Sequence, residues 1–339
     1  MKNRFLHRWL ITAILGVSIL AGCGSEKEDT KAVYRQMGIE YMEQGDYASA
    51  IASFETALKQ EVGTVDADDL DIAYYKAAAQ YASGDMEAAM ATYNAILDYD
   101  KDAYQAFYLR GCLYGKQGNV EAAKADFENA VKYNGNDYEL YLNIYENLVG
   151  IGATEDGEAY LQKALAIKGS ELINLEYRGQ IHYLLGDYET ATQELKAAVE
   201  AGSISANLYL AKCYENTGDD TAAEEAFRAY IAAVPADAVA LNELGEIMLE
   251  KEMYTEAVSY FEQAMDCETV PNNRALMHNL IVAYEYNGNF DKAWAVVQEY
   301  VTLFPEDEDA QREYIFLKNR QMKEEETEDT EADSTETTE

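Results

Sequence analysis

Along most of the chain, small and apolar residues return at helical spacing in paired runs, with polar stops between them. Between Tyr104 and Asp137 the first run places Phe107, Gly111 and Tyr114 at i, i+4 and i+7, one face of a helix. Gln117-Gly118-Asn119 interrupts it as a tight turn does. In the second run Ala123, Phe127 and Ala130 share a face, and Asn134-Gly135-Asn136 closes the unit. The pattern predicts two antiparallel helices joined by a short turn. Gly111 and Ala123 fall where the helices touch, and a larger side chain there would push the backbones apart.

The unit recurs from Lys31 to about Pro305. Copies start near Lys31, Leu70, Tyr104, Tyr138, Leu172, Ile204, Ala238 and Arg274. A Gly followed by Asp or Asn marks the turn at Gly45, Gly84, Gly118, Gly186, Gly218 and Gly288. The small–apolar–Ala signature of the second run repeats as Ala50/Phe54/Ala57 and Ala257/Phe261/Ala264, and Pro235 and Pro305 stand where a helix should stop. Three departures stand out: Gly157 replaces Ala in the fourth copy, Lys76 and Gln80 sit on the packing face of the second, and Glu252 replaces the turn glycine of the seventh.

These landmarks and their period resemble the tetratricopeptide repeat, a 34-residue helix–turn–helix unit. The resemblance implies an all-α fold: a right-handed α-solenoid of about eight repeats over residues 31–306. A solenoid needs its open end covered. Residues 307–322, with Ala310, Tyr314 and Leu317 on one face, are expected to form that capping helix. Residues 323–339 are acidic and rich in Thr, and should be disordered.

The amino terminus reads differently. Lys2, Arg4 and Arg8 precede an apolar run from Trp9 to Leu20, too short to span a bilayer but suited to the core of a signal peptide. It ends in Leu20-Ala21-Gly22-Cys23, which resembles a bacterial lipobox. That resemblance implies removal of residues 1–22 and a diacylglyceryl group on Cys23; the other reading is an uncleaved helix with an incidental cysteine. Residues 23–30 then form a short linker, with Thr30 as a plausible N-cap of the first helix. Two acyl chains on one glycerol hold a protein stably at a membrane. The expected location is the extracytoplasmic face of a cell membrane.

The net charge of −37 argues against nucleic acid as a partner. It serves solubility, or it attracts a basic partner or a diffuse cloud of divalent cations. Cys112, Cys213 and Cys267 lack zinc spacing and read as small buried hydrophobes. No catalytic motif stands out. His182 occupies a Tyr position of the repeat, and Asp98 to Asp102 opens like a calcium loop but has Ala103 and Leu109 where Gly and Glu are needed. No cofactor is implied.

In the tetratricopeptide family the first helices line a concave groove. By that resemblance the groove here would carry Arg35, Tyr74, Tyr81, Tyr108, Glu146, Tyr177, Tyr183, Tyr209, Lys212, Asn242, Glu246 and His278. Tyrosine suits a binding surface because it offers area, few rotamers and a polar tip; equally, the chain has 28 tyrosines, many at packing positions. The leading expectation is a non-enzymatic scaffold that holds a peptide or protein partner. The alternatives are an accessory subunit of envelope assembly or secretion that docks by its edge, and a cell-wall-acting enzyme.

Overall fold

In five of the hairpins the second helix begins on the residue that follows a backbone reversal, and the same two residues make both events. At the third hairpin Gly118 has φ +77°, a conformation open to glycine without a Cβ penalty. Its N–H bonds the Gly115 carbonyl, the next N–H bonds that of Tyr114, and the first helix ends. Asn119 then accepts a hydrogen bond from the Ala122 N–H and starts the second helix. Asp46, Asp85, Asp187 and Asp219 cap their helices in the same way.

The computed structural model describes residues 26–59, 65–167, 172–268, 270, 273–308 and 310–321. The signal segment 1–22, Cys23, Gly24 and Ser25 of the linker, and the tail 323–339 lie outside them. The chain divides into two units, Met1–Lys168 and Gly169–Glu339. In the first, hairpins pair α1 (Glu26–Glu43) with α2 (Tyr47–Leu58), α3 (Ala67–Ala82) with α4 (Met86–Tyr99), α5 (Tyr104–Lys116) with α6 (Val120–Tyr133), and α7 (Tyr138–Gly150) with α8 (Thr154–Ala164). In the second, α9 (Leu172–Leu184) pairs with α10 (Tyr188–Glu200), α11 (Ala206–Thr217) with α12 (Asp220–Ala233), α13 (Ala238–Glu250) with α14 (Tyr254–Met265), and α15 (Asn273–Tyr286) with α16 (Phe290–Leu303). Residues 310–321 are helical again, with Ala310 and Leu317 buried and Tyr314 against Trp294. No strand occurs among the described residues. The fold is the all-α repeat array that the periodicity implies. Thr30 does not cap a helix, because α1 already runs from Glu26.

Packing inside a hairpin follows one register. Phe54, Phe127 and Phe261 are fully buried, each against a glycine of the preceding helix: Gly38, Gly111 and Gly245. Burying such a side chain is worth about 1.5–3 kcal/mol. The fourth hairpin inverts the arrangement. Tyr145 stands at the position of Gly111, Gly157 at that of Ala123, and Leu161 at that of Phe127. A Cβ on Gly157 would meet the Tyr145 ring at 3.1 Å, so the missing methyl makes room for the bulk opposite.

The other departures have local answers. Gln80 is buried and accepts a hydrogen bond from Thr92 Oγ1 at 2.8 Å, while Lys76 reaches back to Glu55 of the previous hairpin at 3.1 Å. Glu252 itself adopts the left-handed turn conformation at φ +58°, the one non-glycine to do so among the described residues. Partly buried ion pairs cross-tie the helices as well: Arg110 donates twice to the buried Asp126, at 2.7 Å each, and Arg178 pairs with Glu194 at the same register.

Candidate functional site

The twelve groove positions all fall on first helices. In the first unit these are α1, α3, α5 and α7; in the second, α9, α11, α13 and α15. First helices touch as α1–α3 and α5–α7 in the first unit and α9–α11 and α13–α15 in the second, and side chains bridge the intervening steps: Lys116 over Tyr81, and Lys212 beside Glu243. Within a unit, their side chains therefore form a row that successive hairpins extend.

In the first unit packing claims much of the row. Arg35 pairs with Asp71 at 2.6 Å, with its guanidinium over the Tyr75 ring. Tyr74 packs on Tyr93 and against the core, and is half-buried there. Tyr108 lies against Phe127, and burial, with the Cys112 thiol and Glu146 alongside, pushes its phenol well above the usual range. Tyr81 lies under the Lys116 ammonium. Protein crowded around the Glu146 carboxyl raises it above the usual carboxylate range, although other parts of the residue reach solvent.

The second unit leaves more chemistry open. Tyr183 packs edge-on to Tyr209 at 5.8 Å, and Gln180 donates to the Tyr209 hydroxyl at 2.6 Å, joining α9 to α11. Asn242 donates to Glu246 at 2.7 Å on α13. From α15, Asn279 donates to both, at 3.1 Å to Asn242 and 2.6 Å to Glu246. The residue before Asn279 is His278, whose Nδ1 is buried with no hydrogen-bond partner among the described residues. Tyr177 is half-buried on α9.

Two carboxylates complete the row. Glu215 on α11 is pushed up to about 7 by burial and then by the charge of Glu243, with Lys212 acting the other way. Burial also raises Glu243, again opposed by Lys212 and reinforced by Glu246. Neither was singled out from the sequence, where acidic residues number 63 and proximity across hairpins is invisible. The face thus sets several carboxyl groups against one ammonium. No group of three or more His, Cys, Asp or Glu among the described residues is placed to hold a metal ion.

The thiols behave as packing residues. Cys112 and Cys213 are buried, which pushes them up to about 12 and about 11. Cys267 is half-buried, less enclosed than expected. His182 is also half-buried, with Nδ1 at 3.3 Å from Asp187.

Profiles of the tetratricopeptide repeat match residues 35–106, 178–238 and 222–273, and a second profile of the same repeat matches 104–137; together they cover more than half of the chain. None of the curated proteins matches significantly. Among solved structures, the chain resembles a tetratricopeptide repeat protein from Parabacteroides merdae, with 15% identity, 75% of this chain and 99% of that chain covered, and a TM-score of 0.53. It also resembles a chain of the APC/C hetero-tetramer Cut9-Hcn1, with 14% identity, 93% of this chain and 59% of that chain covered, and a TM-score of 0.52. At such identities the likeness is one of fold.

Proposed function

The chain belongs to the tetratricopeptide-repeat family, and from that premise we propose a binding scaffold, held at the outer face of a membrane through a lipid on Cys23, that takes a peptide or protein partner along its first helices. The observation that carries this reading is the α9–α15 row, where side chains of successive hairpins are tied to one another and carboxyl groups outnumber cations. Side chains already tied to one another have less ordering entropy to lose when a partner docks. Its surplus negative charge favours a segment that brings lysine, arginine or amide donors.

The Cys23 anchor rests on the basic, apolar and small-residue order of the first 23 residues. With two acyl chains, attachment would be stable without a membrane-spanning helix.

Photo-cross-linkers placed at Tyr183 and Tyr209 in intact cells test the scaffold reading. The expected result is one recurrent cross-linked partner that is lost from a Glu243→Lys/Glu246→Lys double variant. Cross-linking to many unrelated proteins, or none, would count against it. Cys23→Ala should release the chain from the membrane fraction; continued attachment would remove the anchor.

A further inference from the structure

The second unit has a cavity of about 640 Å³ where the chain passes from one hairpin to the next, lined by none of the twelve row residues. Its walls include Ile173, Ile204 and Val234. These are large apolar side chains left in water: Ile173 is 55% and Ile204 51% exposed. Set among them is the carboxylate of Glu176. Ser203 Oγ donates to one of its oxygens at 2.6 Å and Ser205 Oγ to the other at 2.5 Å. Ser203 is itself fixed, because its hydroxyl accepts the Ala206 N–H at the start of α11.

The hydroxyls orient the carboxylate but do not neutralise it. An ionised carboxylate has room for about four hydrogen bonds, and two are used here. No lysine or arginine pairs with Glu176 among the described residues; Arg178, two positions on, is engaged with Glu194. The cavity therefore presents an aimed negative charge at the foot of apolar walls. A ligand that satisfies both features needs an aliphatic stem and a cationic tip, which is the build of a lysine or arginine side chain.

We propose that this cavity is a socket for a lysine or arginine side chain of a partner protein, with Glu176 holding the cationic head and Ile173, Ile204 and Val234 covering the stem. It is a second point of attachment, distinct from the first-helix row, and it would stand even if that row bound nothing. Its volume exceeds one side chain, so residues flanking the anchor would enter with it.

The test uses the full chain and n-hexylammonium as the probe, with hexan-1-ol as the uncharged counterpart, followed by methyl NMR. The expected result is saturable shifts confined to Ile173, Ile204 and Val234. Binding should be about tenfold weaker in Glu176→Gln and for the alcohol, the scale of one charge-assisted hydrogen bond. Shifts spread over the acidic surface, equal affinity in Glu176→Gln, or an alcohol that binds as well would overturn the socket. The alcohol comparison requires no variant, so the proposal stays open to refutation if Glu176→Gln does not fold.

Discussion

A Cβ added at Gly111 would lie 2.7 Å from Cε1 of Phe127, closer than carbon atoms approach. Phe127 is fully buried and held between the Tyr108 and Tyr160 rings. Gly111→Ala gains about 1 kcal/mol of helix propensity, but forcing the ring aside costs roughly 1–3 kcal/mol. The net expectation is destabilisation by about 1 kcal/mol. Gly157→Ala meets Tyr145 at the milder distance of 3.1 Å and should be near neutral. Urea unfolding of the two variants checks the order; equal effects would mean the contact at Gly111 does not limit the approach of α5 and α6.

Glu252 holds a left-handed backbone that favours glycine. The conformation costs about 1–2 kcal/mol for an L-residue. Glycine would relieve that and lose about 0.5–1 kcal/mol to its freer unfolded chain. Glu252→Gly should therefore stabilise by about 0.5–1 kcal/mol, read as a higher urea midpoint. Gly118→Ala at the equivalent turn should do the reverse.

Asp126 is 4% exposed and depends on Arg110 for both of its oxygens. Arg110→Ala would strand a buried charge, at a cost of about 3–5 kcal/mol. Replacing both partners, Arg110→Met with Asp126→Leu, should recover most of that stability. A double variant no better than the single one would mean that the pair contributes more than charge compensation.

How far such features can be read from the chain depends on whether both partners keep their identity from copy to copy. The Gly118-Asn119 turn and the Ala123/Phe127/Ala130 face recur, so the hairpins were legible. Tyr145 with Gly157 was not, because bulk and space trade places across two helices and neither residue alone reports the exchange. Among the candidate binding residues, Tyr183 packs on Tyr209 and Asn242 bonds to Glu246, two separate pairs that repeat register places on first helices. Asn279, next to His278, makes the bond from α15, and Tyr74 packs against the core. The Glu176 socket was hidden because its parts come from α9, the α10–α11 turn and the end of α12.

Stability should also respond to pH through Glu215 and Glu285. Each is pushed up to about 7, Glu215 by burial and then Glu243, Glu285 by burial and then Glu313. An unfolded glutamate titrates near 4.3. Between these values the folded chain binds protons that the unfolded chain has released, so unfolding free energy falls as pH rises. The contribution is complete below about 4.3 and is lost as pH passes through about 7. Glu215→Gln and Glu285→Gln should raise the urea midpoint at pH 8 and leave it unchanged at pH 4. Parallel curves for variant and parent across this range would refute the assignment.

Arg110 meets Asp126 sixteen residues on, and even Asn242 and Asn279, in adjacent hairpins, are separated by only 37. A polypeptide emerging end first from a narrow exit would thus find each partner within moments of the first. Assembly can advance at the pace of delivery, hairpin upon hairpin, without waiting for the far terminus.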